Sequence, residues 1–240
     1  MRPEPDFARS LAAFGNAALR GELGFDAFDA TLKGSAWVNS LAFEQGEQRW
    51  ASSAAWLSWL RTAHPGPLRL RMVPRTPGCE QLVLQGEANL SLWEQRWNRK
   101  EGAKAPPWFD IAWKSASPPA KPLPPEPEVA QVLAKLCATL DGLVQLGQKA
   151  DLGGWDQTFA GCLALARGET ALKAPGPLPP TAPPEAQRLA AAGNASDVFG
   201  GMGSWNDFGP LADPALDQEC ARLSGELSRL VELALLATAR

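Results

Sequence analysis

Apolar residues recur at helical spacing over 6–19, where Phe7, Leu11, Phe14, Ala18 and Leu19 form one stripe behind a capping Asp6. This pattern predicts a helix. Over 28–41, Phe28, Leu32, Trp37, Val38 and Leu41 fit either a helix or a short strand. From 48 to 62, Trp50, Ala54, Leu57 and Leu60 return near the helical period, which predicts a second helix ending before His64-Pro65-Gly66-Pro67. Beyond that breaker the period becomes two. Leu68, Leu70 and Met72 alternate with Arg69, Arg71 and Val73, the signature of a half-buried strand with a basic polar face. Thr76-Pro77-Gly78 marks a turn, and 81–85 with 88–93 read on as strand interrupted by a bulge at Gly86. In the last strand, 108–113, Phe109, Ile111 and Trp113 share one face and Trp108, Asp110 and Ala112 the other. These runs predict an antiparallel sheet with helices packed on one face, an α+β domain over 1–116.

Six prolines between Ser117 and Glu128 exclude both helix and interior strand, so 117–128 is expected to be an extended, semi-rigid linker. Its PxxP spacings, Pro119/Pro122 and Pro122/Pro125, also fit a groove that binds polyproline helices, though a plain spacer is the favoured reading. Residues 129–240 then read as a small all-α bundle. Val129, Val132, Leu133, Leu136, Leu140, Leu143 and Val144 make one stripe over 128–148. Phe159, Leu163 and Ala166 make another over 155–167. The third, over 214–237, carries Leu216, Cys220, Leu223, Leu227, Leu230, Val231 and Leu235. The proline-rich 175–184 reads as a loop between the second and third helices.

A chain of 240 residues that is 45% hydrophobic suffices for two such cores. No run of about 18 apolar residues and no basic-then-apolar leader is apparent, so the expected location is the cytoplasm, with no membrane role. Cys79, Cys137, Cys162 and Cys220 are far apart and lack a CxxC pair or a neighbouring histidine, so free structural thiols are expected, with no metal site and no cofactor. The net charge of −3 hides an asymmetry. Residues 1–116 hold 14 Lys/Arg against 12 Asp/Glu, whereas 126–240 hold 8 against 14. The acidic second half disfavours nucleic acid there and is compatible with a basic protein partner.

Candidate chemistry is sparse. His64 is the lone histidine, tyrosine is absent, and no Ser, Cys or Asp pattern equips His64 as a general base. No enzyme is expected. Tryptophan is abundant, and eight of the ten indoles lie before residue 114. Trp56 and Trp59 are one helical turn apart and are expected to share a face. Trp93 and Trp97 stand beside Arg96, Arg99 and Lys100 as a basic aromatic patch able to stack bases, with core or interface packing the favoured alternative. The segment Gly200-Gly201-Met202-Gly203-Ser204-Trp205-Asn206-Asp207 is the strongest local signal. It reads as a turn entering a helix, with Ser204 as cap and Asp207 three residues on, while Phe199, Met202 and Trp205 anchor it. Such a loop can also present N–H groups to a phosphate, but the Lys-Ser/Thr pair of a P-loop is missing and Asp207 would repel an anion.

With Trp155 and the Arg167-Gly168-Glu169 turn before it, this segment resembles a bacterial family of uncharacterised helical domains that share a GGMGS-x-ND signature. The resemblance covers about residues 128–240, and the proline-rich insertion at 175–184 departs from it. It implies a helical domain and carries no established activity. By analogy with small acidic bacterial proteins that lack catalytic sets, the chain is expected to be a protein-interaction module, an immunity protein that occludes a toxin. The alternative is a small-molecule or nucleotide-binding domain that uses the loop at 200–207.

Overall fold

The computed structural model describes residues 7–33, 35, 37–73, 81–86, 90–100, 102, 105, 107–118, 122–150, 152–172, 177–199, 204–207 and 209–240. The predicted cap at Asp6, the turn at Thr76-Pro77-Gly78, Cys79, and the loop residues Gly200, Gly201, Met202 and Gly203 lie outside them. The fold is α+β, and the chain forms two compact units. One comprises Arg2–Pro125 together with Ala239–Arg240, and the other comprises Glu126–Thr238.

Among the described residues, the first unit holds a six-stranded sheet and three helices. Its strands are β1 (Val38–Gln45), β2 (Gln48–Trp50), β3 (Arg69–Met72), β4 (Gln81–Gln85), β5 (Leu90–Arg99) and β6 (Phe109–Ala116), in the spatial order β2-β1-β6-β5-β4-β3. The sheet is mixed rather than antiparallel, because β1 runs parallel to β6, with Leu41 opposite Ile111 and Phe43 opposite Trp113. Alternation along one strand shows which face is buried but not which neighbour it pairs with, so the parallel contact had no sequence signal. Two further expectations are corrected. The 48–62 pattern is not one helix: Gln48–Trp50 pairs with β1 as a hairpin, and the helix proper is α3, Ser53–Ala63, started by the Ser52 hydroxyl accepting Ala55 N–H at 3.1 Å. The 81–93 run is not one bulged strand either, since β4 and β5 are antiparallel partners, with Leu82 opposite Trp93.

Helices α1 (Phe7–Leu19), α2 (Ala27–Thr31) and α3 cover one face of this sheet. Leu41 and Phe43, Ile111 and Trp113, Trp93, Leu82, Leu84, Leu70 and Met72 meet them as a continuous buried layer. Phe43 stacks on Trp56 of α3 with ring centroids 4.2 Å apart and planes 7° from parallel, while Trp93 meets Trp56 edge-on at 5.1 Å. Such pairs add about 0.5–1.5 kcal/mol each beyond the burial of their area. α1 is buried on nearly all sides, which its run of alanines and Gly15 permits. A Cβ on Gly15 would stand 2.6 Å from Leu70 Cδ1, so glycine sets how closely α1 approaches β3.

The second unit contains α4 (Val129–Ala150), α5 (Trp155–Arg167), α6 (Pro184–Ala195) and α7 (Pro214–Thr238). The stripes of α4, α5 and α7 fall as their spacing predicts, and Leu136, Leu140, Leu143, Phe159, Leu227, Leu230 and Ala234 form the centre of one core. α6 had no expectation attached to it. It opens with Pro184 in its first turn, and its buried face is mostly alanine, glycine and Leu189 rather than large apolar residues. α4 is also long and apolar enough by length and composition to cross a membrane, contrary to the sequence reading. In the fold its apolar stripe packs against α5, α6 and α7.

Candidate functional site

Three places collect the sequence candidates. The first is the turn after α6, of which Ser204 to Asp207 are described. The Asp207 carboxylate accepts the Ser204 N–H at 3.0 Å, so the acid closes the turn on the very donor an anion would need. Trp205 N–H donates to the Val198 carbonyl at 3.1 Å and pins the two ends of the glycine segment together. The Trp205 indole is buried between α5 and α7, edge-on to Trp155 at 5.3 Å and to Phe159 at 5.0 Å. Its Nε1 donates to the Ser224 hydroxyl at 2.6 Å, which donates in turn to the Cys220 carbonyl. Asn206 lies in the short 3-10 turn Trp205–Asp207 that follows.

Trp93 and Trp97 do not form an exposed stacking patch. Both project from β5 toward the helices: Trp93 is 1% exposed, and Trp97 lies edge-on to Phe7 at 5.7 Å and Phe109 at 5.6 Å. Arg96 projects to the opposite face because alternate residues of a strand diverge. Adjacency in sequence therefore separated the aromatic from the cation.

The third place was only half legible. Trp56 is fully buried, whereas Trp59, three residues on and so about 60° round the helix, reaches the rim of α3 and stays half-buried. There it meets Trp50 of β2, with centroids 4.3 Å apart, and His64 edge-on at 6.1 Å. His64 is the C-cap residue of α3, its N–H donating to the Leu60 carbonyl at 3.0 Å. Arg61 extends over the Phe25 ring at 6.0 Å. The missing signal was that Trp50 belongs to a strand, which only the β1–β2 hairpin reveals.

On the sheet face away from the helices, Asn39 Nδ2 donates to Asp110 Oδ1 at 2.8 Å, and the Ser40 hydroxyl donates to the same oxygen. Lys100 Nζ donates to Asn39 Oδ1 at 3.2 Å. The hydrogen bond from Asn39, then that from Ser40, with Lys100 and Arg49 adding attraction, hold the Asp110 carboxyl below the usual carboxylate range. It is therefore a fixed anion at neutral pH. Burial pushes the thiols of Cys137, Cys162 and Cys220 above their ordinary value, so each is protonated near pH 7 and a weak nucleophile. Among the described residues no group of three or more His, Cys, Asp or Glu side chains could hold a metal ion. No protein-family model, curated protein or solved structure matches the chain.

Proposed function

We propose that this chain is a non-enzymatic bacterial protein-interaction module, an immunity-type protein that neutralises a toxin by occlusion. The observation that carries the reading is the Trp50–Trp59 pair, two large indoles in contact yet left half-buried beside His64. Fully burying such rings stabilises a core by several kcal/mol, of order 1.5–3 or more each, and tryptophan is the residue most enriched at the energetic centres of protein interfaces. The protonated thiols of Cys137, Cys162 and Cys220 support a binding role over a catalytic one. Membership of the family with the GGMGS-x-ND signature is part of the same proposal and rests on the 200–207 segment.

The test is co-purification with a toxin encoded beside the gene, together with survival of cells that express that toxin. A stable complex that Trp59→Ala weakens by about 2 kcal/mol or more is the expected result. Absence of a complex and of protection overturns the reading.

A further inference from the structure

The face of the sheet turned away from the helices carries an ordered set of charges that pair among themselves. Strand register places Arg49, Glu44, Lys114 and Glu94 in one row across β2, β1, β6 and β5. The next row along the strands is Ala42, Ala112 and Arg96, and the one after it is Ser40, Asp110 and Asn98. Ala42 and Ala112 are buried beneath the longer side chains around them, between two polar rows about 13–14 Å apart, four residues along a strand. We infer that the layer of charged side chains over β2-β1-β6-β5 is a docking surface for an extended acidic segment of a protein partner.

The sign of the outermost charge decides the partner's chemistry. Lys114 Nζ lies 3.2 Å from Glu44 and Arg49 Nε lies 3.7 Å from it, while Arg96 Nη2 lies 3.2 Å from Glu94. In each pair the cation is at least twice as exposed as the anion: 58% and 68% against 28% for Glu44, and 59% against 26% for Glu94. The carboxylates lie low and the cations stand above them, so an approaching molecule meets positive charge first. Lys100, at the end of β5, extends that layer past Asp110, whose charge is already met by Asn39 and Ser40.

A peptide in extended conformation laid parallel to the strands presents alternate side chains about 6.8 Å apart, the spacing along the strands from the row of Lys114 to the row of Arg96. Its carboxylates can pair with the cations while its backbone N–H groups face the low-lying glutamates. A nucleic acid fits less well, because the indoles of β5 that could stack its bases, Trp93 and Trp97, are packed on the helix side. The buried Ala42 and Ala112 offer nothing apolar to a lipid surface. The inference rests on the reading of the chain as a protein-interaction module and adds where the partner binds and what charge it carries.

The experiment is fluorescence anisotropy of a labelled peptide of alternating Glu and Ala titrated with the full chain at low salt, alongside a Gln-Ala control and a single-stranded DNA of the same length. The expected result is binding of the Glu-Ala peptide alone, weakened about tenfold in Arg96→Gln/Lys114→Gln and further in Arg96→Glu/Lys114→Glu, with affinity falling as salt rises. Because the charge-reversed pair could unfold the sheet, the Gln pair decides, with its thermal midpoint as control. Equal binding by wild type and the Gln pair, no binding of the Glu-Ala peptide, or DNA binding as tightly as the peptide overturns the inference. A toxin complex lost in Trp59→Ala but unchanged in Arg96→Gln/Lys114→Gln overturns this surface while leaving the interaction reading intact.

Discussion

Asn16 shows how much one buried amide can hold. Its Oδ1 accepts the Leu70 N–H at 2.7 Å and its Nδ2 donates to the Leu70 carbonyl at 2.9 Å, so the side chain pairs with β3 as a neighbouring strand would. Among the described strands β3 is the last on that side of the sheet, and an edge left bare is a template for unwanted pairing. Asn16→Ala leaves two buried strand groups unsatisfied and is expected to cost about 2–4 kcal/mol, read as a lower urea midpoint. Asp29 does comparable work from α2: its carboxylate accepts the Ser53 N–H and hydroxyl at 3.0 and 2.8 Å and the Ala54 N–H at 3.0 Å, at the positive end of α3. Asp29→Ala is expected to destabilise the first unit by about 1–2 kcal/mol, and Asp29→Asn by less, since one acceptor oxygen survives. Neither partnership was legible in sequence, because Asn16 and Leu70 are 54 positions apart and nothing local marks a side chain that replaces a strand.

Among the secondary-structure elements, those whose burial is one-sided and whose caps are local were readable. α5 runs from Trp155 to Arg167 as its stripe predicts, and it ends where Gly168 takes φ +76°, with the Gly168 N–H on the Leu165 carbonyl and the Glu169 N–H on the Ala164 carbonyl. α7 begins where Asp213 accepts the Ala215 N–H at 2.8 Å ahead of Pro214. α6 was missed because its contact surface is small residues: a Cβ on Gly193 would lie 3.0 Å from the Ala234 Cβ, so close approach to α7 replaces bulk as the means of burial. Gly147 is tighter still, with a built Cβ 2.8 Å from Asp156 Cβ and 3.1 Å from its backbone. Gly147→Ala gains helix propensity of about 1 kcal/mol but must push α5 away from α4. A net loss of about 1–3 kcal/mol in the helical unit is expected by thermal melting, and a gain in stability would show that the contact gives freely.

Across the chain as a whole, the last two residues belong with the first unit, where Ala239 is buried and its carbonyl accepts from Asn16 at 3.1 Å. Removal of Ala239 and Arg240 is therefore expected to lower the stability of the first unit by about 1–2 kcal/mol. A Trp155→Phe/Trp205→Phe background makes this readable, since the remaining eight indoles all lie before residue 114. The thiols set a pH dependence in the other unit. Burial raises the folded-state pKa of Cys162 above its ordinary 9.0, so the stability this contributes is complete below about pH 9 and is lost as pH rises through the folded value. Cys162→Ala should flatten that alkaline decline in a pH series of melts, and maleimide should label Cys162 at pH 7 only on unfolding. Periodicity and breakers along the chain were enough for the α+β class, three of the four long bundle helices and the faces of β3 and β6, because each follows from burying one side of a local repeat. The parallel β1–β6 contact, the Asn16 and Asp29 clamps and the meeting of Trp50 with Trp59 came from the folded chain alone. Each depends on which distant segments become neighbours, and a repeat along one element carries no information about that.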